Sequence, residues 1–204
     1  MSDAQADHRA FLNRYYGVSR FIYDATRRYY LLGRDVVLRD LAADAAWETL
    51  VEVGPGTGRN LVRLHRARPE ARLGGLEASD AMLGHARAKC PWARILHGFA
   101  EDAPLTEVLG ARPDRVLFSY CLSMVGDRAA AIANARRALS AHGEVVVIDF
   151  ADFAGLPHRA ARAFRTYLGT FHVAPLSAAD LESAASVRRG PRGYYVCATF
   201  GPIS

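Results

Sequence analysis

Thr49-Leu-Val-Glu-Val-Gly-Pro-Gly-Thr-Gly58 sets three glycines on alternate positions directly behind a short apolar run that carries an acid at Glu52. Glycine has no Cβ, so a turn built this way lets the backbone press against a ligand. Outward from this stretch, apolar strand-like runs alternate with amphipathic helical ones. Candidate strands are Thr49–Val53, Leu73–Glu77, Ala93–His97, Arg115–Tyr120 and Glu144–Phe150. Candidate helices lie between them at Arg59–Ala67, Ala81–Lys89, Ala103–Leu109 and Arg128–Ala138, with breaks at Pro69, Pro91, Pro113 and Gly143. Repeated βα units predict an α/β fold: a Rossmann-like, mostly parallel, doubly wound sheet with its ligand at the carboxyl ends of the strands.

Upstream, Phe11–Leu41 reads as one or two helices with apolar stripes, placed to cover the carboxyl ends of the strands. Downstream, Pro157–Phe171 reads as a helix and Tyr194–Phe200 as a final strand, with Arg188-Arg-Gly-Pro-Arg-Gly193 a turn-rich loop between them. A length of 204 residues calls for one domain over 1–204, with an N-terminal helical cap (1–47) on an α/β core (48–204).

Half of the residues are hydrophobic and 23% are charged, the balance of a globular chain. No stretch approaches the roughly 20 apolar residues that span a bilayer, and the first residues lack the pattern of a secretory signal, so a cytoplasmic protein is expected. Cys90, Cys121 and Cys197 stand far apart without a C-x-x-C pair, which points to no metal site and no disulfide framework. The net charge of +5 rests almost wholly on arginine, since Lys89 is the sole lysine.

A dinucleotide fingerprint spaces its glycines G-x-G-x-x-G. Here the segment is E-x-G-x-G-x-G, from Glu52 through Gly54, Gly56 and Gly58, which resembles the first motif of class I methyltransferases that use S-adenosylmethionine. The resemblance implies that the glycines receive the methionine part of this donor and that Glu52 faces its positive groups. Glu77, closing the second strand, would take both ribose hydroxyls, with Ala78, Met82 and Ser119 alongside. S-adenosylhomocysteine would be the product. Gly98-Phe-Ala-Glu-Asp-Ala-Pro104 is similar to the family's third donor segment, although Phe99 stands where an aspartate usually reaches the adenine. Phe99 would stack on the adenine, Ala100 would offer its N–H, and Glu101 or Asp102 a polar contact. The competing readings are a plain strand-to-helix turn for the glycines, a solvated loop acid for Glu77 and a solvent-facing acidic turn for 98–104.

Ser119-Tyr-Cys-Leu122 lacks the N/D-P-P-Y/F of nucleic-acid amino methyltransferases, so no nucleic-acid acceptor is expected. Three stretches, Ile22–Arg34, Ser119–Met124 and Asp149–Pro157 running on to Phe171–Pro175, resemble the betaine-lipid N-methyltransferases, which trimethylate the amine of diacylglyceryl-homoserine. Gly126 and Leu176 depart from that family's pattern. The resemblance implies a lipid amine acceptor, an upstream homoserine-lipid synthase and peripheral contact with the inner membrane face. Aromatic faces stabilise an ammonium product by about 0.5 to 2 kcal/mol each. Tyr23 and Tyr120 would accordingly line the amine pocket, with Tyr16 and Ser123 beside the acceptor; packing of most of these tyrosines is the alternative. Arg27 and Arg34 either hold the acceptor's carboxylate or pair with Asp24 and Asp35. His172 either accepts the departing proton or is a satisfied core histidine. Beside the lipid enzyme stand two other readings: an N- or O-methyltransferase of soluble small molecules, and a binding module without turnover.

Overall fold

A computed structural model describes residues 31–203. Among the described residues the first helix, α1 (Arg34–Ala43), precedes β1 (Thr49–Val53), α2 (Arg59–Ala67), β2 (Arg72–Glu77), α3 (Asp80–Lys89) and β3 (Arg94–His97). After these come α4 (Leu105–Leu109), β4 (Arg115–Ser119), a 3-10 turn at Leu122–Met124, α5 (Arg128–Ala138), β5 (Glu144–Phe150) and α6 (His158–Gly169). The chain closes with β6 (Ser186–Arg189) and β7 (Tyr195–Phe200).

The strands form one seven-stranded sheet in the order β3-β2-β1-β4-β5-β7-β6. Neighbours are parallel from β3 to β5, and β7 enters antiparallel between β5 and β6. This is the expected Rossmann-like fold of the class I type. The order reverses beside β1, so the crease above the carboxyl ends of β1 and β4 is the ligand position of a doubly wound sheet. One expectation fails in part: Arg188 and Arg189, read as the start of the 188–193 loop, belong to a strand paired to β7 over Ser186↔Thr199 to Arg189↔Val196. All four of its residues are exposed, so it has none of the inside-outside alternation that betrays a strand in sequence.

Alternation along the central strands sends side chains into two cores. Val51, Val53, Val116, Phe118, Val145 and Val147 pack under α4 and α5 on one face. Leu50, Leu117 and Ile148 pack on the other face with Val37 and Leu41 of α1, Leu61 and Leu64 of α2, and Leu83 of α3. Glu52 and Ser119 share parity with Leu50 and Leu117, so both emerge on the α2 side at the carboxyl edge. Asp149 shares parity with Val147 and emerges on the other. No helix among the described residues is long and apolar enough to cross a membrane.

Candidate active site

The turn after β1 is held in a conformation that glycine permits. Gly54, Gly56 and Gly58 have φ of 67°, 59° and 78°. A Cβ at Gly54 would run into the Cys121 sulfur, whereas one at Gly56 would meet nothing within 4 Å. The loop is therefore tight against the post-β4 segment on one side and open above Gly56.

Two buried acids flank that opening. Glu77 is 6% exposed. Its Oε2 accepts from the Gly56 N–H at 2.9 Å and its Oε1 from the Ser79 N–H at 2.9 Å. This disposes of a solvated loop acid, and it leaves further lone pairs on each oxygen for a ligand. Glu52 is 1% exposed. Asn60, in the first turn of α2, donates to its Oε1 at 2.7 Å. Desolvation pushes its carboxyl up to about 8; the Asn60 bond and the Arg34 charge pull it down, and Glu77 raises it.

Leu31, Arg34, Gly56, Arg59, Asn60 and Ser119 line the crease with Glu52. Several of its buried polar atoms, Glu52 Oε2, Asn60 Oδ1, Arg59 Nη1 and Ser119 Oγ, find no hydrogen-bond partner among the described residues. Acceptor oxygens and a guanidinium N–H left open in one crease suit a ligand that carries both signs. Asp35 pairs with Arg59 at 3.4 Å and also with Arg63, which ties the start of α1 to α2.

Beside this crease, three remote segments meet. The Tyr120 hydroxyl donates to the Leu32 carbonyl. Ser123 N–H donates to Asp149 Oδ2 at 2.9 Å, and Ala174 N–H donates to the Ser123 carbonyl at 3.0 Å. Asp149 is fully buried and also accepts from the Phe150 N–H at 2.8 Å. Burial pushes its carboxyl up, against those bonds and the Arg128 charge.

Residues 50–143 match the family described as a methyltransferase domain. The matched stretch runs from β1 to the turn before β5 and contains Glu52, Gly54, Gly56 and Glu77. The chain is 29% identical over 104 residues to the malonyl-[acyl-carrier protein] O-methyltransferase of Xylella fastidiosa (strain M23). It spans 35% of that relative's length. The SAM-bound amino pentose methyltransferase CalS10 of Micromonospora echinaspora superposes with TM-score 0.52 at 27% identity, covering 62% of this chain and 55% of that one. The putative methyltransferase of Haloferax volcanii, seen in complex with the Trm112 activator, shares the fold over 94% of this chain and 98% of its own, with TM-score 0.67 at 14% identity. The crease fits S-adenosylmethionine: Glu52 Oε2 and Asn60 Oδ1 offer unmet acceptors to a cation, and the space over Gly56 admits its chain.

The structure distributes the predicted residues unevenly. Glu52, Gly54, Gly56 and Ser119 share the crease, and Arg34 joins them there. Gly58 caps α2, and Glu77 borders the crease through Gly56. Ala78 holds His97 Nε2 on its carbonyl at 3.0 Å, and Met82 is 1% exposed in α3. Phe99 is half-buried, edge-on to His97 at 6.4 Å. Ala100 is buried, its carbonyl taken by Asn134, and Glu101 accepts from the Asp127 N–H at 3.4 Å.

Tyr120 does not offer its face to an open pocket. It is 2% exposed, packed edge-on to Phe150 at 4.8 Å, and burial drives its hydroxyl pKa upward. Its part is to anchor the Leu32 segment. His172 is neither core nor crease: it is exposed at φ 54° on the turn after α6. Asp35, the other partner weighed for Arg34, is engaged by Arg59 and Arg63. Tyr16, Tyr23, Arg27 and most of the 1–47 cap lie outside the described residues. Asn60, Arg59 and Asp149 were not singled out from sequence. A polar residue beside the apolar stripe of α2 and an acid ending an otherwise apolar strand were the available signals.

Proposed function

We propose that this protein methylates an amine nitrogen, that of diacylglyceryl-homoserine, carrying it to the trimethylated betaine. The observation that carries this reading is the convergence of three sequence-distant segments at the carboxyl edge of the sheet that holds the crease, through Leu32–Tyr120, Asp149–Ser123 and Ala174–Ser123. These same stretches hold the likeness to the betaine-lipid enzymes. CalS10, an amino pentose methyltransferase, supports an acceptor that carries an amine.

In this reading the donor's amino acid end lies over Gly56, its ammonium toward Glu52 and its carboxylate toward Arg34 and Arg59. Arg34 thus serves the donor rather than the acceptor. Glu77 takes the ribose hydroxyls while still bracing Gly56. When bound, the donor supplies a sulfonium methyl open to in-line displacement. The amine lone pair forms the new C–N bond as the C–S bond gives its electrons to sulfur. A proton leaves the nitrogen after the first and second transfers, and none after the third. No strong base is required, because positioning supplies most of the acceleration.

Labelled methyl donor incubated with vesicles containing diacylglyceryl-homoserine should move label into the organic phase, in the wild type and not in the E77A variant. The malonyl-[acyl-carrier protein] relative favours a second reading, methylation of a soluble acceptor. Label found only on soluble amines or acids would overturn the lipid.

A further inference from the structure

Arginine is unevenly placed on this protein. Residues 152–169, which include α6, and residues 186–193, which run from β6 toward β7, hold Arg159, Arg162, Arg165, Arg188, Arg189 and Arg192 against one acid, Asp152. That is a net charge of +5, equal to the charge of the entire chain, so everything outside these two stretches is neutral in sum.

The two stretches form one surface. Gly155 N–H donates to the Arg192 carbonyl at 3.0 Å. Asp152 joins them further: its carbonyl accepts from Arg165 at 2.6 Å and its carboxylate from Arg189 at 2.8 Å. Packing does not require the remaining charge. α6 buries only Ala161 and Leu168, and Arg159, Arg162 and Arg192 are exposed. Arg188 pairs with Asp40 of α1 at 3.5 Å, and the Tyr167 ring of α6 is 49% exposed. An exposed basic face that carries a tyrosine ring has the character of a surface held electrostatically on an anionic interface.

Position links this surface to the methyltransferase site. The loop into α6 leaves the carboxyl end of β5, the edge of the sheet that holds Glu52, Glu77 and Ser119. Past the far end of α6, Ala174 returns to the Ser123 carbonyl at 3.0 Å. We infer that the arginine face of α6 and the β6–β7 turn seats the protein on an anionic bilayer, with the active-site mouth beside the headgroups. Nucleic acid and acidic proteins match the charge; a bilayer also takes a tyrosine ring at its headgroup level. The choice of a bilayer rests in part on the lipid-acceptor reading.

Full-length protein should float with phosphatidylcholine vesicles that contain phosphatidylglycerol, should not float with phosphatidylcholine alone, and should be released by high salt. Each arginine near such a surface is worth about a fivefold change in partition, so R159Q/R162Q/R192Q should weaken it on the order of a hundredfold. That variant should keep its affinity for S-adenosylhomocysteine and its melting temperature. Absence of flotation with phosphatidylglycerol, or equal flotation of the variant, overturns the inference. Retention of wild type by duplex DNA without vesicle binding also overturns it. Flotation without label entering the homoserine lipid would sink the acceptor and leave the docking surface standing; label transfer without flotation would do the reverse.

Discussion

The donor side of the site and its acceptor side are held together differently. Glu52, Gly56, Asn60 and Glu77 belong to a single βαβ unit, and hydrogen bonds between near neighbours fix them: Asn60 to Glu52 at 2.7 Å, Gly56 to Glu77 at 2.9 Å. Leu32, Tyr120, Ser123, Asp149 and Ala174 come from four stretches of chain and meet only because the whole sheet is assembled. Local construction makes the donor side readable and rigid. Long-range construction leaves the acceptor side free to vary with substrate while the donor side stays the same.

Substitutions can break this contrast, and the largest effect is expected at Glu77. E77A leaves Gly56 and Ser79 without their charged acceptor and removes the ribose contact, so S-adenosylhomocysteine should bind roughly a hundredfold more weakly by calorimetry. An affinity unchanged within threefold would show that the loop holds its form unaided.

At Asp149 the opposite pattern is expected. D149N keeps the shape but turns an amide NH2 toward either the Ser123 or the Phe150 N–H, each of which a carboxyl oxygen now accepts, at a cost of about 1 to 2 kcal/mol. Turnover should fall about tenfold with donor affinity nearly unchanged. Equal loss in both would mean that the two sides are one unit.

Glu52 sharpens the comparison through pH. Its folded value is raised from 4.5 to about 8, so between those limits the unfolded chain ionises while the folded one keeps its proton. Stability contributed by the neutral carboxyl is present below about 4.5 and is lost as pH rises through about 8. E52Q should remove this slope and melt roughly 5 °C above wild type near the upper limit without donor, with no gain at the lower one. Donor binding should release up to about one proton at neutral pH in the wild type, read from heats in buffers of different ionisation enthalpy, and none in E52Q.

The smallest change is expected from Y120F, which removes the hydroxyl bond to Leu32 and costs about 1 kcal/mol, or about 2–4 °C in melting temperature. Turnover should drop by less than threefold. A larger loss would place the Tyr120 ring nearer the chemistry than its burial implies.

The same contrast explains what could be read from the residues alone. The strand-turn-helix at Thr49–Gly58, the acid at Glu77 and the alternation of βα units are short-range patterns, and they located the sheet and the crease. The role of Arg34 was not legible, because only the folded α1 shows that it lies beside Glu52. Nor was that of Tyr120, whose ring reads equally well as a pocket wall or a core member until Leu32 is seen above it. β6 escaped because an edge strand with four exposed residues carries no burial periodicity.

The placement of β7 bears on synthesis. Glu144-Val-Val-Val-Ile-Asp-Phe150 is complete long before Tyr195–Phe200 exists to cover its free side. A nascent or truncated chain ending ahead of Tyr195 would present a bare, strongly apolar strand edge, an invitation to intermolecular pairing. β7 is thus the segment that shields β5 from edge-to-edge pairing.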